Sequence, residues 1–149
     1  MPISANVVLG RGVKIFQPDL VNLYGCTVGD ETKVGAFVEV QKNASIGSRC
    51  KISSHTFICE GVTIEDDVFV GHGVMFINDT FQTGAPAGGD RMLWKQTTIG
   101  NNVSIGSNAT ILPVSICDGV VIGAGSVVVK NISEKGVYAG NPAKKLRNL

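Results

Sequence analysis

Histidine is scarce in this chain, and its cysteines lack any metal-binding spacing. His55 and His72 are the only two histidines among 149 residues, and the four cysteines, Cys26, Cys50, Cys59 and Cys117, include no C-x-x-C pair. Zinc-finger spacings therefore cannot be met, and a hydratase-type zinc site, which takes three histidines contributed across a subunit interface, is not expected from two. No metal is expected. A disulfide framework does not suit a reducing compartment, so the cysteines read as small, partly buried side chains. Charge of one sign is also lacking: 13 Lys and Arg stand against 12 Asp and Glu, a formal net charge of +1. Nucleic acid would favour a basic face, so it is not an expected partner. No apolar run is long enough to cross a bilayer, so no membrane association is expected. The start, "MPISANVVLGRG", carries no basic leader followed by an apolar stretch. The expected location is the cytoplasm.

What the chain has is a beat of six. Val28, Val34, Val40, Ile46, Ile52, Ile58, Ile64, Val70 and Phe76 fall six apart without a miss. A small or branched residue sits four places after each, from Thr32 and Val38 to Val74 and Thr80, and Gly often follows directly, at Gly29, Gly35, Gly47 and Gly71. Upstream, Ile3, Leu9, Ile15 and Val21 keep the same step, and one extra residue then leads to Val28. Downstream the beat returns at Ile99, Ile105 and Ile111, then after a five-residue step at Ile116, Ile122 and Val128. Six fits neither an amphipathic helix nor a lone strand; it fits a parallel β-helix whose short strands meet at corners, with three hexads per coil. Glycine after the aliphatic is expected to supply the backbone freedom of the corner. The chain then forms one domain, residues 1–149, in the all-β class. A non-enzymatic or ice-binding solenoid would carry flat repeated rows such as Thr ladders, and no such ladder is read in the sequence.

The rhythm breaks once. Between Phe76 and Ile99 lies "TFQTGAPAGGDRMLWKQT", rich in Gly and Pro, expected as a loop ejected from the coil at about residues 81–97. It carries Arg91 and the only tryptophan, Trp94. Just before it stands "VGHGVMFIND". Glu60 and Asn78 are 18 residues apart, each two places after its aliphatic, which predicts the same corner in successive coils, about 4.8 Å apart along the backbone. His72 occupies the preceding corner and shares a column with Ser107 and Ala124. His55 has no evident partner and reads as structural.

The hexads, together with "VIGAGSVVVKNI" and "VYAGNPAKKL", resemble the hexapeptide-repeat acyltransferases. That resemblance implies a left-handed parallel β-helix with a short C-terminal tail or helix at about 135–149, a homotrimer, and sites in the clefts between subunits. It implies coenzyme A along the subunit groove, with Gly106, Ser107, Ala124, Asn141, Lys144 and Lys145 as its contacts. Lys144, Lys145 and Arg147 suit a phosphate on physical grounds as well. "ILPVS" departs from the family's frequent "ILPGV" and accounts for the five-residue step. Residues 55–81, "HTFICEGVTIEDDVFVGHGVMFINDTF", resemble the sugar-nucleotide 3-N-acetyltransferases. The activity implied is acetyl transfer from acetyl-CoA to the 3-amino group of a UDP- or dTDP-linked amino sugar, for surface polysaccharide. In that group an Asn at the position of Asn78 contacts the amine, with no dedicated histidine base. Glu60 is expected to assist it, and Asp79, Arg91 and Trp94 to line the acceptor side. The alternative is a hydroxyl-directed acetyltransferase with His72 as base, because a hydroxyl needs help losing its proton and a neutral amine does not.

Overall fold

A computed structural model describes all residues 1–149. The chain winds as a left-handed parallel β-helix with three flat faces. Face one stacks Val8–Leu9, Thr27–Val28, Ser45–Ile46, Val62–Ile64, Thr97–Ile99 and Ser115–Ile116. Face two stacks Lys14–Ile15, Lys33–Val34, Lys51–Ile52, Phe69–Val70, Ser104–Ile105 and Val121–Ile122, then Val137–Gly140 and Ala143–Arg147. Face three stacks Asn22–Leu23, Glu39–Val40, Phe57–Ile58, Met75–Phe76, Thr110–Ile111 and Val127–Val128. All strand pairings between coils are parallel; antiparallel pairing is confined to the last hairpin and the Asp79–Trp94 bridge of the loop. No helix is long and apolar enough to cross a membrane.

Strand alternation explains the beat. From the second coil on, the second residue of each pair points inward, as Val34, Ile52, Val70 and Ile105 do at 0% exposure. The first points out. Each buried Val or Ile contributes roughly 1.5–3 kcal/mol before chain entropy is charged against it. Coil rests on coil, so stability is mostly a sum of neighbour contacts.

The corner chemistry differs from the expectation. Gly29, Gly35, Gly47 and Gly71 do not adopt positive φ. They are glycine because the next coil leaves no room: a Cβ on Gly29 would sit 2.5 Å from the Gly47 carbonyl carbon, and one on Gly71 would sit 2.7 Å from the Ser107 nitrogen. The left-handed conformation falls two residues later. It is held by Glu31, Phe37, Asn43, Arg49, His55, Gly61, Asp67 and Gly73, six apart without a miss. This costs a side chain roughly 1–2 kcal/mol. In return it aims the N–H at the preceding coil, as in His55 N to Ala36 O at 3.1 Å and Asp67 N to Ser48 O at 2.9 Å.

Other expectations are corrected by the coordinates. The inward slot after Ile15 belongs to Leu23, which pairs with Val40, and not to Val21. A 3-10 turn, Pro18–Leu20, lengthens that corner and moves the phase. "ILPVS" makes its corner without any left-handed residue between Asn108 and Gly119, yet Ile99 still pairs with Ile116. The missing residue shortens the corner and leaves the register intact. The tail holds no helix; Val137–Gly140 and Ala143–Arg147 form a hairpin that caps face two. A hydroxyl row does exist: Thr27, Ser45, Thr63, Thr98 and Ser115 lie in register on face one. The insertion between Phe76 and Ile99 hides it in the sequence, since Ile64 pairs with Ile99 where an 18-residue step would have ended at residue 82.

Candidate active site

The corner between faces two and three carries one continuous column. Ile52, Val70, Ile105 and Ile122 pair in turn, so Ser54, His72, Ser107 and Ala124 stack above one another. The His72 N–H donates to Ser107 Oγ at 3.2 Å, and Ser54 Oγ lies 2.9 Å from His72 Nδ1. The imidazole is exposed and oriented, with Nε2 unengaged. Ser54 escaped the sequence reading, although it lies 18 residues before His72 at the same place in its hexad.

The amides of this column contrast with those of the corner between faces one and two. There four of the six equivalent N–H groups are capped by a side chain from the next coil: Arg11 by Asp30, Ser48 by Asp66, Asp66 by Asn101 and Asn101 by Asp118, all at 2.8–3.0 Å. At the His72 corner, the N–H groups of Ser107 and Ala124 have no acceptor in the chain. Gly106 leaves room for this close stacking, because its own Cβ would run into Ala124. The column ends at the hairpin, where Gly140 N donates to Ser126 Oγ at 3.2 Å and Asn141 is exposed. The expected cationic cluster is divided. Lys144 is exposed and unpaired, whereas Lys145 reaches Glu134 at 2.8 Å. Arg147 donates to the neighbouring Asn148 carbonyl at 3.3 Å. The Lys145 hydrogen bond and charge hold the Glu134 carboxyl below its usual range.

Asn78 lies at the next corner, between faces three and one. It stacks on Glu60 as its spacing predicts, donating from Nδ2 to the Glu60 carbonyl at 3.0 Å. That bond fixes the amide and leaves Oδ1 as an unengaged acceptor. The loop between Phe76 and Thr97 departs here and returns through Lys95 N to Asn78 O at 2.9 Å. The Glu60 carboxylate has partners of its own. It is 9% exposed, accepts from Asn43 Nδ2 at 3.1 Å and forms an ion pair with Arg91. Burial pushes its pKa up, but the hydrogen bonds from Asn43 and Arg91 and the charge of Arg91 outweigh this and hold it below the usual value. It is an anchor, ionised at neutral pH, and unsuited to take a proton.

Asp79 is also claimed by the loop. Its two oxygens accept from Phe81 N at 3.0 Å and Ala87 N at 2.8 Å. Trp94 bridges its backbone to Asp79 and lines a cleft of about 470 Å³ with Glu60, Arg91, Lys95 and Gln96. The expected acceptor contacts Asp79 and Arg91 thus serve first to fold the loop. His55 stacks on Phe37 with ring centroids 4.9 Å apart, a structural pair of adjacent coils. Burial pushes the Cys59 thiol up to about 12 and raises Cys26 and Cys50, so these thiols are poor nucleophiles. No group of three or more His, Cys, Asp or Glu side chains converges. His72 and Asn78 occupy different corners, with face three between them, so one subunit does not unite them.

Known proteins share this repeat. Residues 25–60 match the family described as bacterial transferase hexapeptide (six repeats), and residues 96–130 the hexapeptide repeat of succinyl-transferase. Galactoside O-acetyltransferase of Escherichia coli K12 is 38% identical over 143 residues, covering 89% of this chain and 68% of that protein. Serine acetyltransferase of Buchnera aphidicola is 37% identical over 115 residues, covering 75% of this chain and 41% of that protein. The chain spans only 27% of the bifunctional protein GlmU of Kineococcus radiotolerans, at 32% identity. The chain belongs to the hexapeptide-repeat acyltransferase family. Its fold is that of AntD, an N-acyltransferase from Bacillus cereus solved with dTDP and 3-hydroxybutyryl-CoA; the TM-score is 0.72 at 22% identity, over 97% of this chain and 80% of that one. PerB from Caulobacter crescentus, solved with CoA and GDP-perosamine, gives 0.62 at 18% identity, over 97% and 56%.

Proposed function

We propose that the protein transfers an acetyl group from acetyl-CoA to the amino group of a nucleotide-linked amino sugar, in the cytoplasm. The observation that carries the donor half is the column of uncapped amides at Ser107 and Ala124, which runs from His72 to Asn141 and the free Lys144. A pantetheine arm has amide carbonyls that such N–H groups can bind, and a thioester oxygen turning into an oxyanion needs the same donors. The exposed, unpaired Lys144 supports a contact with a phosphate of the adenosine end.

On the acceptor side, Asn78 Oδ1 accepts one N–H of the neutral amine and turns its lone pair to the thioester carbon. The C–N bond forms, the C–S bond breaks, and the departing sulfur takes the surplus proton. Positioning of this kind supplies much of the rate when no base is needed. A closed homotrimer would set one copy's His72 corner against another copy's Asn78 corner and so complete a site that a single subunit leaves divided. Phe57, Met75, Thr110 and Val127 form an outward, largely apolar row on face three that suits such a contact. The 3-amino group of a UDP- or dTDP-linked sugar is the specific acceptor proposed, for surface polysaccharide.

A second reading has one specific observation behind it. His72 is held through Nδ1 by Ser54 and presents Nε2 outward, the arrangement of a general base for a hydroxyl acceptor. The 38% identity to a galactoside O-acetyltransferase points the same way. A thiol-release assay with acetyl-CoA across nucleotide-linked amino sugars, free amino sugars and plain glycosides separates the two. Release only with nucleotide-linked amines supports the first reading, and release with plain glycosides replaces it by the second.

A further inference from the structure

Below His72, on face two, the structure holds a group of side chains that the acyl-transfer chemistry does not use. Lys14, Lys33 and Lys51 are outward residues of three successive rungs, paired in register Lys14 to Lys33 and Lys33 to Lys51. All three are exposed, and none forms an ion pair within the chain. Rungs of one sheet lie about 4.8 Å apart, and like charges directly opposite repel. The neighbouring corner handles its cations differently: Arg11 meets Asp30 at 3.5 Å and Arg49 meets Asp67 at 2.9 Å. The lysine ladder is the part of this surface left without counter-charge.

A cavity of about 170 Å³ opens beside the ladder, lined by Phe16, Lys33, Lys51, Ser53, Ser54 and His72. Ser53 lies under the floor of this cavity, 2% exposed and closed to solvent. In its column the same place holds glycine at Gly35, Gly71, Gly106 and Gly123, and Phe16 in the first coil. Phe16 is 57% exposed and forms an open aromatic wall.

Two lysines a rung apart at the edge of one cavity, uncompensated by any carboxylate, and an exposed aromatic ring beside them describe one ligand class. We infer that this cavity binds the diphosphate of a nucleoside diphosphate, with Lys33 and Lys51 on the phosphate oxygens and Phe16 against the base. The inference rests on the proposed nucleotide-linked acceptor and names where that acceptor is held. The cavity adjoins Ser54 and His72, at the near end of the donor column, so a sugar carried on that diphosphate lies beside the thioester. A phosphate of coenzyme A presents the same oxyanion chemistry, and the test separates the sources.

Calorimetric titrations of the full chain with UDP, dTDP, pyrophosphate and coenzyme A provide that test, comparing wild type with Lys33→Gln/Lys51→Gln, Phe16→Ala and, as a control on an exposed lysine elsewhere, Lys130→Gln. The expected result is that the double variant binds nucleoside diphosphate and pyrophosphate at least about tenfold more weakly, the scale of one lost charged hydrogen bond, with coenzyme A unaffected. Phe16→Ala should weaken the nucleotide and spare pyrophosphate. Binding should fall as salt rises. Equal nucleotide affinity in wild type and the double variant overturns the subsite while leaving the acceptor reading in place, and so does a loss confined to coenzyme A. Wild type that binds neither pyrophosphate nor any nucleotide also overturns it. Lysine-dependent pyrophosphate binding without acetylation of any nucleotide-linked sugar upholds the subsite and removes the acceptor reading.

Discussion

Ser54 Oγ and His72 Nδ1 lie 2.9 Å apart, one coil above the other, and the bond leaves Nε2 of an exposed imidazole free. This is the geometry of a base, and it makes the choice between acceptors measurable. With an amine acceptor, His72→Ala should keep most of its turnover and the wild-type pH profile, which rises until the bound amine's own pKa is passed. A hydroxyl acceptor would instead cost about 100-fold or more on loss of the base. Steady-state rates on the best acceptor between acid and alkaline pH decide this.

Asn78→Ala should lower turnover strongly on an amino-sugar acceptor, whereas His55→Ala should leave it nearly unchanged. The His55 ring packs on Phe37 and makes no hydrogen bond to His72 or Asn78. Asn78→Asp is the informative companion: it retains an acceptor oxygen but loses the Nδ2 donor that anchors it to the Glu60 carbonyl. Partial activity in Asn78→Asp with almost none in Asn78→Ala is the expected pattern in initial-rate assays.

Arg91→Ala should loosen the loop. Glu60 is 9% exposed in the wild-type chain, and the change leaves its carboxylate with Asn43 as the remaining side-chain donor. A cost of about 1–2 kcal/mol follows for an under-satisfied buried anion, discounted because the guanidinium half of the pair is itself open to water. Limited proteolysis should cut between Phe81 and Trp94 faster than in wild type, and Glu60→Gln in the Arg91→Ala background should restore part of the lost resistance.

The same carboxylate predicts an acid-side effect. The folded pKa of Glu60 is depressed, so its contribution is fully present above the unfolded value and is lost as pH falls through the folded one. The melting temperature of wild type should therefore fall more steeply than that of Glu60→Gln below about pH 4.3, the reference value for Glu. Parallel curves from neutral pH into acid would show that the ion pair contributes nothing to stability.

At the tail, the two lysines should behave differently. Lys144→Ala should raise the KM for acetyl-CoA with little change in kcat, because a remote phosphate contact is felt equally in ground and transition states. The effect should shrink with the dephospho form of the donor. Lys145→Ala should act mainly on the hairpin, through the lost 2.8 Å contact with Glu134, and lower thermal stability more than donor affinity.

The hexad arithmetic was enough to read the solenoid, the column of His72, Ser107 and Ala124, and the stacking of Asn78 on Glu60. Each of these depends only on counting along a chain whose coil length is nearly constant, and the parallel ladder preserves that count even past the shortened "ILPVS" corner. What the tertiary structure decided is what each side chain spends its polar atoms on. Arg91 reaches Glu60 from 31 residues away through an aperiodic loop, and no spacing rule encodes where such a loop returns. Lys145 turns to Glu134 because the tail folds back as a hairpin, a geometry the repeat does not contain. The lysine ladder was hidden for a related reason. Lys14, Lys33 and Lys51 are 19 and then 18 residues apart, and only the 3-10 turn at Pro18–Leu20, which lengthens the first coil, brings the first of them into register with the others. A repeat therefore fixes which backbone positions meet, through ladder hydrogen bonds of uniform length. Three-dimensional packing alone settles which side chains remain free to bind a ligand.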